Sequence, residues 1–135
     1  MSEPLTSLQN PRVKDAVRLR QRRHRDRSGR FLIEGYRELN RAVAGGFPIE
    51  TLFICPELYL GENEPELVER AVRDSGADVI PVVGHVFEKL AYRDRPEGLL
   101  AVAPRPEWTL DRLPATKGTP FYVVACTIEK PPTIP

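Results

Sequence analysis

The sequence predicts an α/β fold, a three-layer α/β/α sandwich, from three observations. Short apolar runs of strand length alternate with segments in which apolar residues recur at helical spacing. Glycines punctuate the joints between them, at Gly29, Gly35, Gly45-Gly46, Gly76 and Gly98. The chain of 135 residues has room for one domain with a core of its own. Strands alternating with helices of about ten residues imply a parallel or mixed sheet covered on both faces.

The elements follow in order. Asn10-Pro11 is a helix start, because Asn caps free amides and Pro suits the first helical position. From there Val13, Ala16, Val17 and Arg20 share one side, while Arg12, Arg18, Arg22 and Arg25 spread over the rest, which predicts one continuous basic helix to Ser28-Gly29. Phe31-Leu32-Ile33 reads as a strand, and Tyr36, Leu39 and Val43 mark a helix ending at Gly45-Gly46. Ile49 to Cys55 is the next strand. Glu64-Pro65 opens a helix that stops at Gly76, before a strand from Asp78 to Val83. Val86, Phe87 and Leu90 predict a short helix, and Gly98 to Ala103 a further strand. No glycine-rich phosphate loop follows any strand, so the Rossmann and Walker fingerprints are absent.

Beyond Ala103 the character changes. Pro104, Pro106, Pro114, Gly118 and Pro120 space out a stretch anchored only by Trp108, Leu110 and Leu113, a composition that reads as a semi-rigid linker over 105–120. Phe121 to Thr127 then reads as the first strand of something new. The resulting division is a domain at 1–104, a linker at 105–120, and the start of an incomplete second domain at 121–135.

A net charge of +1 conceals an asymmetry: residues 1–30 hold nine Lys or Arg against three Asp or Glu, and residues 31–135 hold eleven against sixteen. A basic end on an otherwise acidic chain points to a polyanion, since Lys and Arg gain most where they displace counterions from phosphate. Eight of the nine cations in the first thirty residues are Arg, whose planar fork grips phosphate bidentately and stacks on bases. The candidate phosphate contacts are Arg12, Lys14, Arg18, Arg22, Arg23, Arg25, Arg27 and Arg30; the competing reading is a solvated face. Tyr92-Arg93-Asp94-Arg95 precedes the last strand of the domain, where Tyr92, Arg93 and Arg95 either clamp a flipped or single-stranded nucleotide or form a local Arg–Asp pair on a turn.

Other chemistry is thin. Glu34-Gly35 reads as scaffold, with Gly35 making a tight turn and Glu34 favouring the positive end of the helix at Tyr36. His24 lies among arginines, and His85 follows Gly84 near a helix start. Cys55 and Cys126 sit in apolar runs without neighbouring ligands, so both read as packed thiols of a reducing compartment and no metal site is suggested. No apolar run is long enough for a membrane span and the first twenty residues make no signal peptide, which predicts a cytoplasmic protein. No Ser-His-Asp set and no paired carboxylates appear.

Four pieces in order, SLQNPRVK at 7–14, GRFLIEG at 29–35, RDRPEGLLAVAPRP at 93–106 and VVACTIEKP at 123–131, together resemble the SpoU (TrmH-type) family of RNA ribose 2′-O-methyltransferases that carry an N-terminal substrate-binding domain. The resemblance implies that residues 1 to about 104 are that domain, with a fold similar to ribosomal proteins that bind kinked RNA. It further implies an S-adenosylmethionine-binding knotted catalytic domain starting at Phe121, most of it missing here, through which a homodimer would form. Ile128, Glu129, Lys130 and Pro131 match the family at that junction, but Pro132, Thr133, Ile134 and Pro135 stand where Gly-Asn-apolar-Gly is expected, so no catalytic residue is carried over. The expectation is therefore a chain that binds RNA, most readily rRNA, takes up no cofactor of its own and does not methylate. The alternative is a stand-alone RNA-binding adaptor of the ribosomal-protein type.

Overall fold

The computed structural model describes residues 3–127. Among these residues, five α-helices and a four-stranded sheet run in the order α1 (Pro11–Arg18), α2 (Arg22–Ser28), β1 (Arg30–Glu34), α3 (Tyr36–Ala44), β2 (Thr51–Ile54), α4 (Glu64–Ser75), β3 (Asp78–Pro81), α5 (Gly84–Leu90) and β4 (Leu99–Pro104). The sheet order is β1-β4-β2-β3. β4 runs antiparallel to both neighbours, with Leu32 and Thr51 each opposite Val102, while β2 and β3 are parallel through the α4 crossover. The sheet is therefore mixed.

Strand alternation separates two cores, as a pleat requires. Phe53, Leu100 and Val102 point to one face, where Val13, Ala16, Val86, Phe87 and Leu90 of α1 and α5 cover them. Leu52, Ile54, Leu99 and Ala101 point to the other, beneath Leu39 and Val43 of α3 and Leu67 and Ala71 of α4. Helices thus cover both faces. Central β4 is buried over its first five residues, which explains its unbroken apolar run LLAVA. Each fully buried large side chain, such as Phe53 or Phe87, contributes about 2–3 kcal/mol.

Several expectations need correction. The basic helix is two helices: Gln21 is extended (φ −91°, ψ 128°), which breaks the run between Arg18 and Arg22. A continuous helix would stack Arg18 on Arg22 one turn apart, where like charges repel. Phe31–Ile33 is in a strand as expected, and is half-buried because β1 lies at a sheet edge. The strand at Asp78 ends at Pro81, and Val82 makes only an isolated parallel bridge with Leu5. In the proline-spaced segment, Trp108 and Leu110 are exposed and anchor nothing. Phe121–Thr127 pairs with no strand among the described residues, and Phe121, Val123 and Val124 are exposed. Cys55 is buried, which pushes its thiol pKa up, whereas Cys126 is exposed and not packed. The matching stretch Ile128–Pro131 and the divergent Pro132–Pro135 lie outside the described residues. No helix among the described residues is long and apolar enough to cross a membrane.

Candidate nucleic-acid interface

α1 is fixed by its ends and its inner face. Asn10 Oδ1 accepts the Arg12 amide at 2.9 Å, Pro11 occupies the first turn, and Val13 and Ala16 pack inward. Arg12, Lys14, Asp15 and Arg18 are thereby turned outward. α2 buries no residue and ends at Gly29 in the left-handed region (φ 67°).

The corner between the two helices is stapled by arginines rather than by turn residues. Arg25 Nη1 donates to the Leu19 carbonyl at 2.9 Å and the Arg20 carbonyl at 2.7 Å, satisfying acceptors that the end of α1 leaves free. Arg20 Nη2 donates to the carbonyls of Lys89, at 2.5 Å, and Ala91, tying the corner to the end of α5. Helical spacing had placed Arg20 in the apolar stripe of α1. An arginine in such a stripe is the sequence signal for a guanidinium that has found internal acceptors.

A groove of about 510 Å³ opens between α1, α2 and the end of the sheet. Leu19, Phe53 and Val102 give it apolar lining, Arg18, His24 and Arg27 border it, and the carboxylates Asp15 and Glu50, paired with Arg18 and Arg30, line it as well. The candidate cations divide by partner. Arg12 pairs with Asp78 at 2.6 Å, Arg18 with Asp15 at 3.4 Å, Arg22 with Asp26 at 3.7 Å and Arg30 with Glu50 at 2.6 Å. These pairs are solvent-exposed, worth about 0–1 kcal/mol each, and can be exchanged for a stronger anion. Asp26 also takes Arg105 at 2.8 Å, whose hydrogen bond holds its carboxyl below the usual range. Lys14, Arg23 and Arg27 have no carboxylate partner among the described residues. Three unneutralised cations therefore sit on the outer face of α1–α2.

His24, half-buried between them, has its pKa held below the ordinary value by desolvation and then by the guanidinium groups of Arg23, Arg27 and Arg18. In the loop before β4, Arg93 is committed internally: it meets Glu38 at 2.8 Å, Glu97 at 3.0 Å and Glu34 at 3.8 Å. Glu34 does not serve the α3 N-terminus, as expected from sequence. It accepts the amides of Tyr92 and Arg93, at 2.6 and 3.1 Å, and Glu97 takes the Tyr36 amide at 3.1 Å instead. Gly35 at φ 97° leaves room for this cluster, since a Cβ there would lie 2.5 Å from both Arg93 Nη1 and Glu97 Oε2. Tyr92 and Arg95 remain exposed. His85 is a surface tie, its Nε2 lying 3.2 Å from the Thr6 carbonyl. A second hollow of about 510 Å³ lies on the other side of Leu19, between the corner and Tyr92.

The two kinds of arginine are separable by stability. Arg25→Gln is expected to lower the unfolding free energy by about 2 kcal/mol, because two charge-assisted bonds to the corner are lost. Arg22→Gln is expected to stay within about 0.5 kcal/mol of the parent. Urea denaturation of the two variants side by side reads the difference.

Residues 10–101 match the MRM3-like substrate-binding domain. The chain belongs to that family. The domain's structural neighbours are SpoU/TrmH-type RNA methyltransferases. One is an RNA 2′-O ribose methyltransferase, 36% identical over 84% of this chain, with a TM-score of 0.67. Another is the AdoMet-bound rRNA methyltransferase of Sinorhizobium meliloti, 27% identical over 82% of this chain, with a TM-score of 0.65. The SpoU methyltransferase AviRb of Streptomyces viridochromogenes, in complex with AdoMet, is 26% identical over 80%, with a TM-score of 0.63. This chain spans 42%, 40% and 40% of those chains respectively. No curated protein sequence matches it.

Proposed function

We propose that this MRM3-like domain binds structured RNA, rRNA above other RNAs, through the outer face of α1–α2, and presents it to a methyl-transfer site on a second domain. The observation that carries the reading is the trio Lys14, Arg23 and Arg27, which lack acidic partners among the described residues, beside the groove rimmed by Arg18 and His24. Arg12, Arg18, Arg22 and Arg30 join by exchanging exposed carboxylates for phosphate, and Arg95 extends the basic surface. Arg25 and Arg93 hold the scaffold in place. The preference for rRNA rests on the activity of the S. meliloti neighbour.

In this reading the neighbours' additional length corresponds to an S-adenosylmethionine-dependent domain beginning near Phe121, after a linker at 105–120, and dimerisation belongs to that domain. Neither hollow favours S-adenosylmethionine: its sulfonium is cationic, and the carboxylates that line them beside the guanidinium groups, Asp15, Glu50 and Glu34, already accept from Arg18, Arg30 and the amides of Tyr92 and Arg93. The domain contributes binding and orientation of the ribose, and no group of its own to the methyl transfer.

The test is competition binding between a folded rRNA fragment, a tRNA and a DNA duplex of equal length. Tightest binding to rRNA, weakening steeply with salt, supports the reading; equal affinity for all three reduces the domain to a nonspecific cation. pH gives an independent check. The lowered pKa of His24 favours its neutral form, and a phosphate beside it favours the imidazolium, so binding is expected to take up a proton. Affinity is therefore expected to rise a few-fold as pH falls from about 7.5 to 6, up to roughly tenfold per unit of pKa gained on binding. In His24→Gln the pH dependence flattens; a dependence unchanged in that variant places the titrating group elsewhere.

A further inference from the structure

The hollow on the Tyr92 side of the corner plays no part in phosphate binding, and its construction is unusual for a surface loop. Tyr92 keeps 82% of its surface exposed. Its backbone is nonetheless clamped on both sides. The Tyr92 amide donates to Glu34 Oε1 at 2.6 Å, the Arg93 amide donates to Glu34 Oε2 at 3.1 Å, and the preceding carbonyl of Ala91 accepts from Arg20. Arg93 locks the same loop onto Glu38 and Glu97. A large apolar ring is thus held toward solvent on a fixed backbone, so little conformational freedom remains to be lost when something stacks on it.

What the hollow offers is equally specific. Leu19, Leu32 and Leu100 supply apolar walls, and Arg20 and Arg25 supply guanidinium groups held by backbone carbonyls. Glu34 also lines it, but both of its oxygens already accept amides. Its volume, about 510 Å³, is that of a small-ligand site. Leu19 borders both this hollow and the basic groove, so a strand whose phosphates cross α1–α2 passes its mouth. Flat, π-faced and tethered to an anionic backbone describes a nucleobase. A base inside a continuous duplex is stacked and cannot enter.

We propose that this hollow receives one unstacked base of the bound RNA, stacked against Tyr92, so that the preferred substrate carries an unpaired nucleotide in a loop or bulge beside its phosphate contacts. The inference rests on the RNA-binding reading and narrows it to a class of RNA. Tyr92 is the specificity residue. Its truncation leaves the fold intact, since the ring is largely exposed and the clamping bonds are made by main chain.

The test measures binding of the parent chain, Tyr92→Ala and Tyr92→Phe to two RNA probes, a hairpin with an unpaired loop and a fully paired duplex of the same stem. The parent is expected to prefer the hairpin. Tyr92→Ala should lose roughly tenfold in hairpin affinity and nothing on the duplex, while Tyr92→Phe keeps the preference. Hairpin affinity unchanged in Tyr92→Ala, or an equal loss on both probes, overturns the base-stacking site and leaves RNA binding standing. A parent chain that binds neither probe overturns both.

Discussion

Changing Lys14, Arg23 and Arg27 together to Gln is expected to lower RNA affinity by roughly two orders of magnitude at 0.1 M salt, and to reduce the slope of log affinity against log salt by about 2–3. The size follows from counterion release, which gives about 0.7–0.9 of slope per phosphate neutralised. All three side chains are exposed and have no acidic partner among the described residues, so thermal stability should not fall. Filter binding across a salt series measures both quantities. A slope equal to the parent's would mean that phosphates lie elsewhere.

Arg20 should give the largest effect on stability. Arg20→Met removes the donor to the Lys89 and Ala91 carbonyls and unties the α1–α2 corner from α5, at a cost of about 3 kcal/mol. For a domain of this size that corresponds to a fall in Tm of roughly 15 °C. The buried Nε of Arg20 has no partner among the described residues, which offsets part of the benefit it gives. Arg20→Lys should recover only a part, because the lysine side chain is about one bond shorter and its ammonium falls short of the position of Nη2, which donates to both carbonyls. RNA affinity should fall in Arg20→Met as well, since the groove and the Tyr92 loop share this staple. Calorimetry with a binding assay on the same samples separates the two consequences.

The layered fold was legible because its elements carry local signals. Asn10-Pro11, Glu64-Pro65, Gly76 and the buried run of β4 are set by capping and patterning, and the helices and strands lie within a residue or two of where spacing predicts them. The break at Gln21 was not legible. RLRQRR contains no glycine or proline, and every residue in it favours helix; the turn exists because Arg20 reaches carbonyls at the end of α5 and Arg25 folds back onto the corner's own carbonyls of Leu19 and Arg20. Phe121–Thr127 failed for a related reason: strand propensity describes a surface that needs a partner, and none is present among the described residues.

The candidate site was legible as a region and not residue by residue. Charge asymmetry pointed to residues 11–30, where most of the cations of α1 and α2 are exposed. Spacing alone pointed to Arg22, Arg23 and Arg25 as equivalent contacts, yet Arg22 is paired with Asp26 and Arg25 turns inward. Which guanidinium faces solvent and which closes the corner depends on the path the backbone takes through the break at Gln21, which spacing does not give. The same holds for Glu34, which serves Tyr92 and Arg93 from 58 and 59 residues away.

The central claim is that RNA meets the outer face of α1–α2 and not the opposite layer, where Arg37, Arg41 and Arg73 also carry positive charge on α3 and α4. Amide chemical-shift mapping during titration with a folded rRNA fragment tests it most directly. Shifts concentrated in residues 11–30 and around Tyr92, with α3 and α4 silent, are the predicted result. Shifts concentrated on α3 and α4, with α2 unmoved, would contradict the account.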